Sequence, residues 1–279
     1  MSQTADGVDE GAADSDVGTV GLASLLKGAV PFKEGMNVSD TYRGLILVDE
    51  KTSRAAIIKD LPAKELAAEI FGSAVAATAG LPVPDCFLTR VAPDALALSK
   101  GPSLPDGAKL AFASADTKQP SLRQLVHDNP ATAKRIAEKL ASWVKVGELY
   151  GFDSFSANVD RHRGNLLFDG DNEVWLIDHG RCFGGPPWNY QALSAAFEYR
   201  NRLRDWLTPE LKDDQRQTAA AKAAELSGFF ADVDIAALAA ANHVADLLDK
   251  QDFQKAVEFL QQRLPHVPKL SATALNLVV

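Results

Sequence analysis

The pattern of apolar residues predicts an α+β fold for this 279-residue chain, with a small β-rich N-terminal part and a mainly helical C-terminal part. Two observations carry that prediction. Between about residues 40 and 118 the apolar runs are short and bounded by turn-forming residues, whereas beyond about 119 they recur at helical spacing for long stretches. One exception interrupts the helical half, where two β-type runs flank a strong turn between Asn165 and Asp178.

In chain order, residues 1–18 carry Asp6, Asp9, Glu10, Asp14 and Asp16 with no Lys or Arg, the composition of a disordered, solvated acidic tail. Residues 19–118 form the predicted β-rich part. Within it, Arg43 to Asp49 and Arg54 to Lys59 read as a hairpin around the polar turn Glu50 to Ser53. Pro62 suits a first helical position, and Leu66, Ile70, Ser73 and Ala77 line one helix face until Gly80 stops it. Further strands are expected around Cys86 to Val91 and Lys109 to Ala113. Residues 119–279 should be mainly helical, with helices over Thr132–Tyr150, Gln191–Leu207, Gln215–Phe230, Ile235–Leu248 and Phe253–Leu264.

Composition narrows the function. The formal charge is −8, and more than half of that excess lies in the acidic N-terminal stretch. Nucleic-acid and anionic-membrane binding both rest on clustered Lys and Arg, so neither is expected. Cys86 and Cys182 are the only cysteines, too few for a disulfide framework or a cysteine-based zinc site, and they suit a reducing cytoplasm. No secretion signal and no bilayer-length apolar run is visible, so a soluble cytoplasmic protein is expected.

The chemistry concentrates in Asn158-Val-Asp160-Arg-His162-Arg-Gly-Asn165, followed by Trp175-Leu-Ile-Asp178-His-Gly180. An antiparallel hairpin that starts after Asn165 and ends before Asp178 brings the chain back to the same end, so amide and carboxylate can flank one metal. Hard oxygen donors of this kind suit Mg2+ carrying nucleotide phosphates. Asp160 enters on the preceding loop, placed to accept a hydroxyl proton and position the acceptor. An isolated Asp-x-x-x-x-Asn is ordinarily a capped loop, and the reading rests on the full set. His162 and His179 find no third ligand at metal-binding spacing, which speaks against zinc.

Asp160-Arg-His162-x-x-Asn165 with Ile177-Asp178-x-Gly180 resembles the catalytic and metal-binding loops of phosphatidylinositol 3- and 4-kinases and their protein-kinase relatives. Asn158-x-Asp160-x-His162-x-x-Asn165 equally resembles the HipA-like bacterial kinases. Upstream, Ala55-Ala-Ile-Ile-Lys59 is similar to the strand whose lysine grips nucleotide phosphates. Glu69-Ile-Phe through Ala79-Gly-Leu-Pro-Val-Pro84 is similar to the helix and turn that follow in HipA-like proteins. The resemblance covers roughly residues 40–190 and implies a two-lobed protein-kinase-like fold that uses ATP and Mg2+.

The same resemblance assigns roles. Lys59 would grip phosphate, with Glu69 its partner ahead of Glu65 because Glu69 lies nearer the apolar stripe of its helix. Ile57, on the strand face that Lys59 occupies, would pack on adenine. Ser39 and Thr41 stand where a phosphate-covering loop belongs, although no regular glycine signature is present. His162 would orient Asp160 or share its proton work, and His179 replaces a residue that is often Phe in relatives. The expected function is a HipA-like Ser/Thr protein kinase, with a protein substrate and an antitoxin or regulatory partner. A lipid or small-molecule kinase and a nucleotide-binding pseudokinase scaffold are the alternatives. Aminoglycoside- and choline-type phosphotransferases usually place His where this chain has Asn158.

The stretch after Asp178 offers one early cation, Arg181, before the mostly apolar Cys182 to Tyr190. Such a loop suits an extended peptide, or a brace for the helical part, better than an anionic lipid headgroup. Arg200, Arg202 and Arg204 follow on a predicted helix.

Overall fold

A computed structural model describes residues 18–32, 40–129, 131–168 and 173–278. The acidic stretch 1–17, Ser39 and the hairpin turn 169–172 lie outside the described residues. The molecule is α+β, with a β-rich N-terminal part and a helical C-terminal part.

The N-terminal part is built from β1 (Gly21–Leu25), β2 (Val30–Pro31), β3 (Asp40–Leu47), β4 (Ser53–Asp60), β5 (Cys86–Val91) and β6 (Lys109–Ala115). They lie in the order β1-β5-β6-β4-β3-β2, and β1 also pairs with β3, so five of the strands close into a barrel. Closure depends on β1, which runs parallel to β5 and antiparallel to β3 through Ser24↔Leu47 and Leu25↔Ile46. The period-2 alternation sends Ala23, Leu25, Ile46, Ala56, Ile58, Phe87, Val91, Ala111 and Ala113 into one buried cluster. Four of these are alanines, and small side chains are what a narrow barrel can accommodate.

The opposite face of β4, β5 and β6 presents Ile57, Lys59, Leu88 and Phe112 outward, and Leu88 and Phe112 join the main core. Helix α1 (Ala63–Thr78) packs there. Its residues from Leu66 to Ala76 are all buried, not only one stripe, because barrel and C-terminal helices cover it from different sides. Gly72 permits the closest approach: a Cβ there would lie 2.7 Å from Cβ of His179 and 3.0 Å from Sγ of Cys182.

The C-terminal part contains α2 (Leu122–Asp128), α3 (Thr132–Ala141), α4 (Val146–Phe155), the short hairpin β7 (Leu166–Phe168) and β8 (Val174–Leu176), then α5 (Leu203–Trp206), α6 (Asp213–Ala231), α7 (Ile235–Ala241), α8 (Val244–Leu247), α9 (Lys250–Arg263) and α10 (Val267–Ala274). α4 is buried almost throughout, packing against α6 and α10, and Tyr150 on it bonds Thr208 at 2.8 Å. This element carries the chain directly into Asn158.

Three helical expectations change. Thr132–Tyr150 is two helices, interrupted at 142–145. Ile235–Leu248 is also broken, at His243, whose φ of +61° leaves the right-handed helical region. Gln191–Leu207 is helical only in a single 3-10 turn at Tyr190–Ala192 and in α5. Its apolar residues satisfy a helical period, yet Tyr190 and Leu203 reach the core from a winding backbone.

Candidate functional site

Lys59 sits near the end of β4 on the outer face of the barrel, opposite Thr41 of β3 and Phe112 of β6. Its Nζ lies 3.1 Å from Oε1 of Glu69 and 3.1 Å from Oδ1 of Asp178, and 5.5 Å from the Phe112 ring centre. The side chain is 13% exposed and that of Glu69 is 1% exposed. Burial works against the Lys59 charge, but Asp178 and Glu69 outweigh it and hold the pKa above the ordinary lysine value. Around Asp178 loss of solvent pushes the carboxyl up, and Lys59 more than reverses that, leaving it below the ordinary value.

Glu69 is held from two sides. Its Oε2 accepts a hydrogen bond of 2.5 Å from the backbone N–H of Gly180, so one buried carboxylate ties α1 to both Lys59 and the loop after Asp178. A Cβ on Gly180 would sit 2.8 Å from that oxygen, which is why a glycine is needed there. Glu65, one turn earlier, forms no ion pair among the described residues. Burial leads the upward shift of its pKa, and Arg181 only partly offsets it. Asp178 itself adopts φ +62°, an uncommon conformation for a non-glycine residue of the kind that collects at functional sites.

The loop carrying Asp160 is fixed by a buried network that the sequence reading missed. Asp153 and Arg161 are 1% and 0% exposed and form an ion pair at 3.3 Å. Asn158 donates to Asp153 at 2.9 Å and accepts from the Asp160 N–H at 3.1 Å. Arg161 Nη1 donates to the carbonyls of Asn165 and Ile177 at 3.2 and 2.8 Å, so one guanidinium spans both ends of the β7–β8 hairpin. Burial pushes the Asp153 carboxyl up to about 6, against the pull of Arg161.

Asn165 uses its Nδ2 to hold the Asp160 carbonyl at 2.9 Å, which turns its Oδ1 away from that bond. That leaves one amide oxygen beside the hairpin end from which Asp178 emerges. The donor set, an amide oxygen and a carboxylate, fits a hard divalent cation carrying phosphate. No group of three or more His, Cys, Asp or Glu that could hold a metal occurs among the described residues, so any such ion would need ligands from a bound nucleotide or water.

The Asp160 carboxylate faces one guanidinium and one imidazole. Oδ1 pairs with Arg202 Nη1, and Oδ2 lies 3.9 Å from His162 Nε2. His162 Nδ1 accepts from the Gly164 N–H at 2.9 Å, so in the neutral ring the proton sits on Nε2, toward Asp160. Burial, with Arg202 adding to it, holds the His162 pKa below the ordinary value despite Asp160. Spacing alone could not pair Arg202 with Asp160, which lies forty-two residues upstream of it.

Ile57 is partly buried and stands opposite Arg43 on β3 and Ser114 on β6. Beside it, the segment after β6 bonds Asp116 N–H to the Ala55 carbonyl at 2.9 Å, while Pro120 O accepts from Phe168 N–H at 3.1 Å. This connection between barrel and hairpin was not singled out from sequence, since its residues carry no distinctive chemistry. His179 is buried, edge-on to Phe152, with Nδ1 3.3 Å from Ser73 Oγ and Nε2 without a hydrogen-bond partner among the described residues. Cys182, Phe183 and Tyr190 enter the main core and brace the helical part, while Pro186 and Pro187 of the same stretch are exposed and Trp188 is partly buried.

The HipA-like kinase family model matches residues 55–225, more than half of the chain. The chain belongs to the HipA-like kinase family. The matched span of this HipA-like kinase includes Lys59, Glu69, Asp160, Asn165 and Asp178, while β1 to β3 and α7 to α10 lie outside it. No match was found among curated proteins. No helix of the described residues is long and apolar enough to cross a membrane.

Proposed function

We propose that this HipA-like kinase transfers the γ-phosphoryl group of ATP, with Mg2+, to a Ser or Thr hydroxyl of a protein, and that its two parts act as the lobes of a kinase-like fold. The observation that carries the reading is the position of Lys59, held 3.1 Å from both Glu69 and Asp178. A lysine so placed is oriented by Glu69 to hold nucleotide phosphate, while Ile57 and Thr41 would line the nucleotide approach. When bound, the divalent cation would neutralise charge on the phosphates, held by Asn165 Oδ1 and Asp178. Asp160 Oδ2 would accept the acceptor proton as the oxygen attacks, and His162 Nε2–H would steady that carboxylate.

One observation favours a second acceptor class. Arg202 places a guanidinium beside Asp160, where an anionic small molecule or headgroup would gain a charge-assisted hydrogen bond. Purified protein incubated with Mg2+, labelled ATP and a bacterial lysate separates the two. Phosphate mapped to Ser or Thr of proteins supports the first reading, and label confined to lipids or small molecules supports the second. Absence of ATP turnover overturns both in favour of a nucleotide-binding scaffold. A regulatory protein partner belongs to the same proposal, with co-purification from cells as its check.

A further inference from the structure

Arg263, the last residue of α9, is 1% exposed, and no carboxylate pairs with it among the described residues. Its Nε donates to the Ser154 carbonyl at 2.6 Å, and Nη1 donates to the carbonyls of Ala195 and Phe197 at 2.7 and 3.0 Å. The Tyr199 and Phe259 rings lie 5.0 and 5.3 Å from its guanidinium carbon. Nη2 donates to no described residue. Burial pulls the Arg263 pKa down to about 10, the expected response of a cation lacking a counter-charge.

A cavity of about 270 Å³ opens against this guanidinium, and Arg200, Arg204, Tyr199 and Leu270 line it as well. Arg200 pairs with Asp205 at 2.7 Å, and Arg204 with Glu198 at 3.4 Å and Asn276 Oδ1 at 2.9 Å. These outer pairs are solvent-exposed, where such contacts are weak and exchange readily. Three guanidiniums therefore face two carboxylates around one cavity, leaving a positive excess with its deepest member uncompensated. None of Lys59, Asp160 or Asp178 lines it.

We propose that this cavity binds a phosphate monoester. A guanidinium is matched to phosphate because its planar fork donates paired hydrogen bonds to two oxygens. A phosphate ester also offers three terminal oxygens to these guanidiniums, where a carboxylate offers two. The volume exceeds that of a phosphate group, and Tyr199 and Leu270 give the group's carrier an apolar wall. Arg202, which holds Asp160, lies on the same stretch as Arg200 and Arg204, so an occupant braces the segment next to the candidate base.

Calorimetric titration at fixed ionic strength tests the site directly, using inorganic phosphate, N-acetylphosphoserine amide and glycerol 3-phosphate as probes. Wild type should bind at least one ester saturably. Lys59→Met should bind it equally well, which separates this cavity from the nucleotide region and from the kinase reading. The double variant Arg200→Ala/Arg204→Ala should bind about tenfold more weakly or worse. Arg263 stays in place, since its carbonyl contacts fasten residues 195–197 to α4. Preference for the phosphoserine probe would make the source a modified protein, and preference for glycerol 3-phosphate a free metabolite. No saturable binding by wild type, unchanged binding by the double variant, or loss of binding in Lys59→Met overturns the proposal.

Discussion

Arg202 Nη1 pairs with Oδ1 of Asp160, leaving Oδ2 as the carboxylate oxygen free to meet an acceptor. The neighbouring Trp206 strengthens the arrangement, because its Nε1 donates to the Arg161 carbonyl at 3.0 Å and anchors α5 to the loop that bears Asp160. Arg202 therefore positions the candidate base. Arg202→Ala should lower kcat about tenfold with the KM for ATP unchanged, and Arg202→Lys should restore part of the loss. A raised kcat in Arg202→Ala would instead identify the pair as a block on the acceptor end.

Asp160→Asn and Asp178→Asn should each reduce phosphoryl transfer at least about a hundredfold, the scale of a lost general base or metal ligand. Their side chains are 32% and 44% exposed, so neither change opens a core cavity and melting temperatures should stay close to wild type. Steady-state turnover beside thermal melts of both variants checks this. Near-normal turnover in either would remove that residue from the mechanism.

Lys59 and Glu69 should be coupled in stability as well as activity. Lys59→Met leaves the Glu69 carboxylate, 1% exposed, without its cation, and breaking such a pair costs about 3 kcal/mol. Adding Glu69→Gln to Lys59→Met removes the stranded charge and should return part of that loss, although both proteins should lack transfer activity. Urea denaturation of the two single variants and the double variant measures the coupling. Strictly additive losses would mean that the two side chains do not interact in solution.

What sequence could show was set by how local each feature is. Asp160, Asn165 and Asp178 stand at recognisable spacings around the hairpin between 165 and 178, so their grouping was legible from it, while Lys59 was placed by the resemblance of its strand. The Lys59 partner was also legible, because Glu69 and Glu65 differ in helical phase. Closure of the barrel was not, since β1 is a five-residue strand whose partners lie more than twenty and more than sixty residues away. Gln191–Leu207 misled because apolar spacing reports burial, and a winding segment pinned by Arg263 and Trp206 buries the same side chains. Asp153 and Arg161 look like surface charges in a string and become a buried pair only once α4 and the hairpin meet.

Asp153 gives a signed pH effect. Its pKa rises from 3.8 to about 6 on folding, mainly through burial, so the native state holds this proton more tightly than the unfolded chain. Its contribution to stability is therefore fully present below pH ~3.8 and is lost as pH rises through about 6. Asp153→Asn should erase that slope, and it should also destabilise by about 3–5 kcal/mol at neutral pH by stranding the Arg161 guanidinium. Urea midpoints of both proteins across pH 4–7 check the two effects together. Parallel profiles would show that Asp153 does not titrate in this window.

His179 acts in the opposite sense. Burial, reinforced by Arg161 and Lys59, holds its pKa well below 6.5, so the ring stays neutral in the folded protein and protonates more readily in the unfolded chain. Its contribution is present above pH ~6.5 and is lost as pH falls. The ring also carries a cost, because Nε2 is buried without a hydrogen-bond partner among the described residues. Phenylalanine matches the ring and its edge contact with Phe152, needs no partner and cannot titrate. Crowding from Gly72, where even a Cβ would meet His179 at 2.7 Å, limits the gain, as does the lost contact with Ser73. His179→Phe should therefore be neutral to about 1 kcal/mol more stable at pH 7, with a larger advantage at pH 5.5 and transfer activity within about threefold of wild type. Urea denaturation at the two pH values, with turnover measured at pH 7, provides the comparison. An advantage that shrinks at the lower pH would mean that His179 is protonated in the folded protein and has an acceptor there.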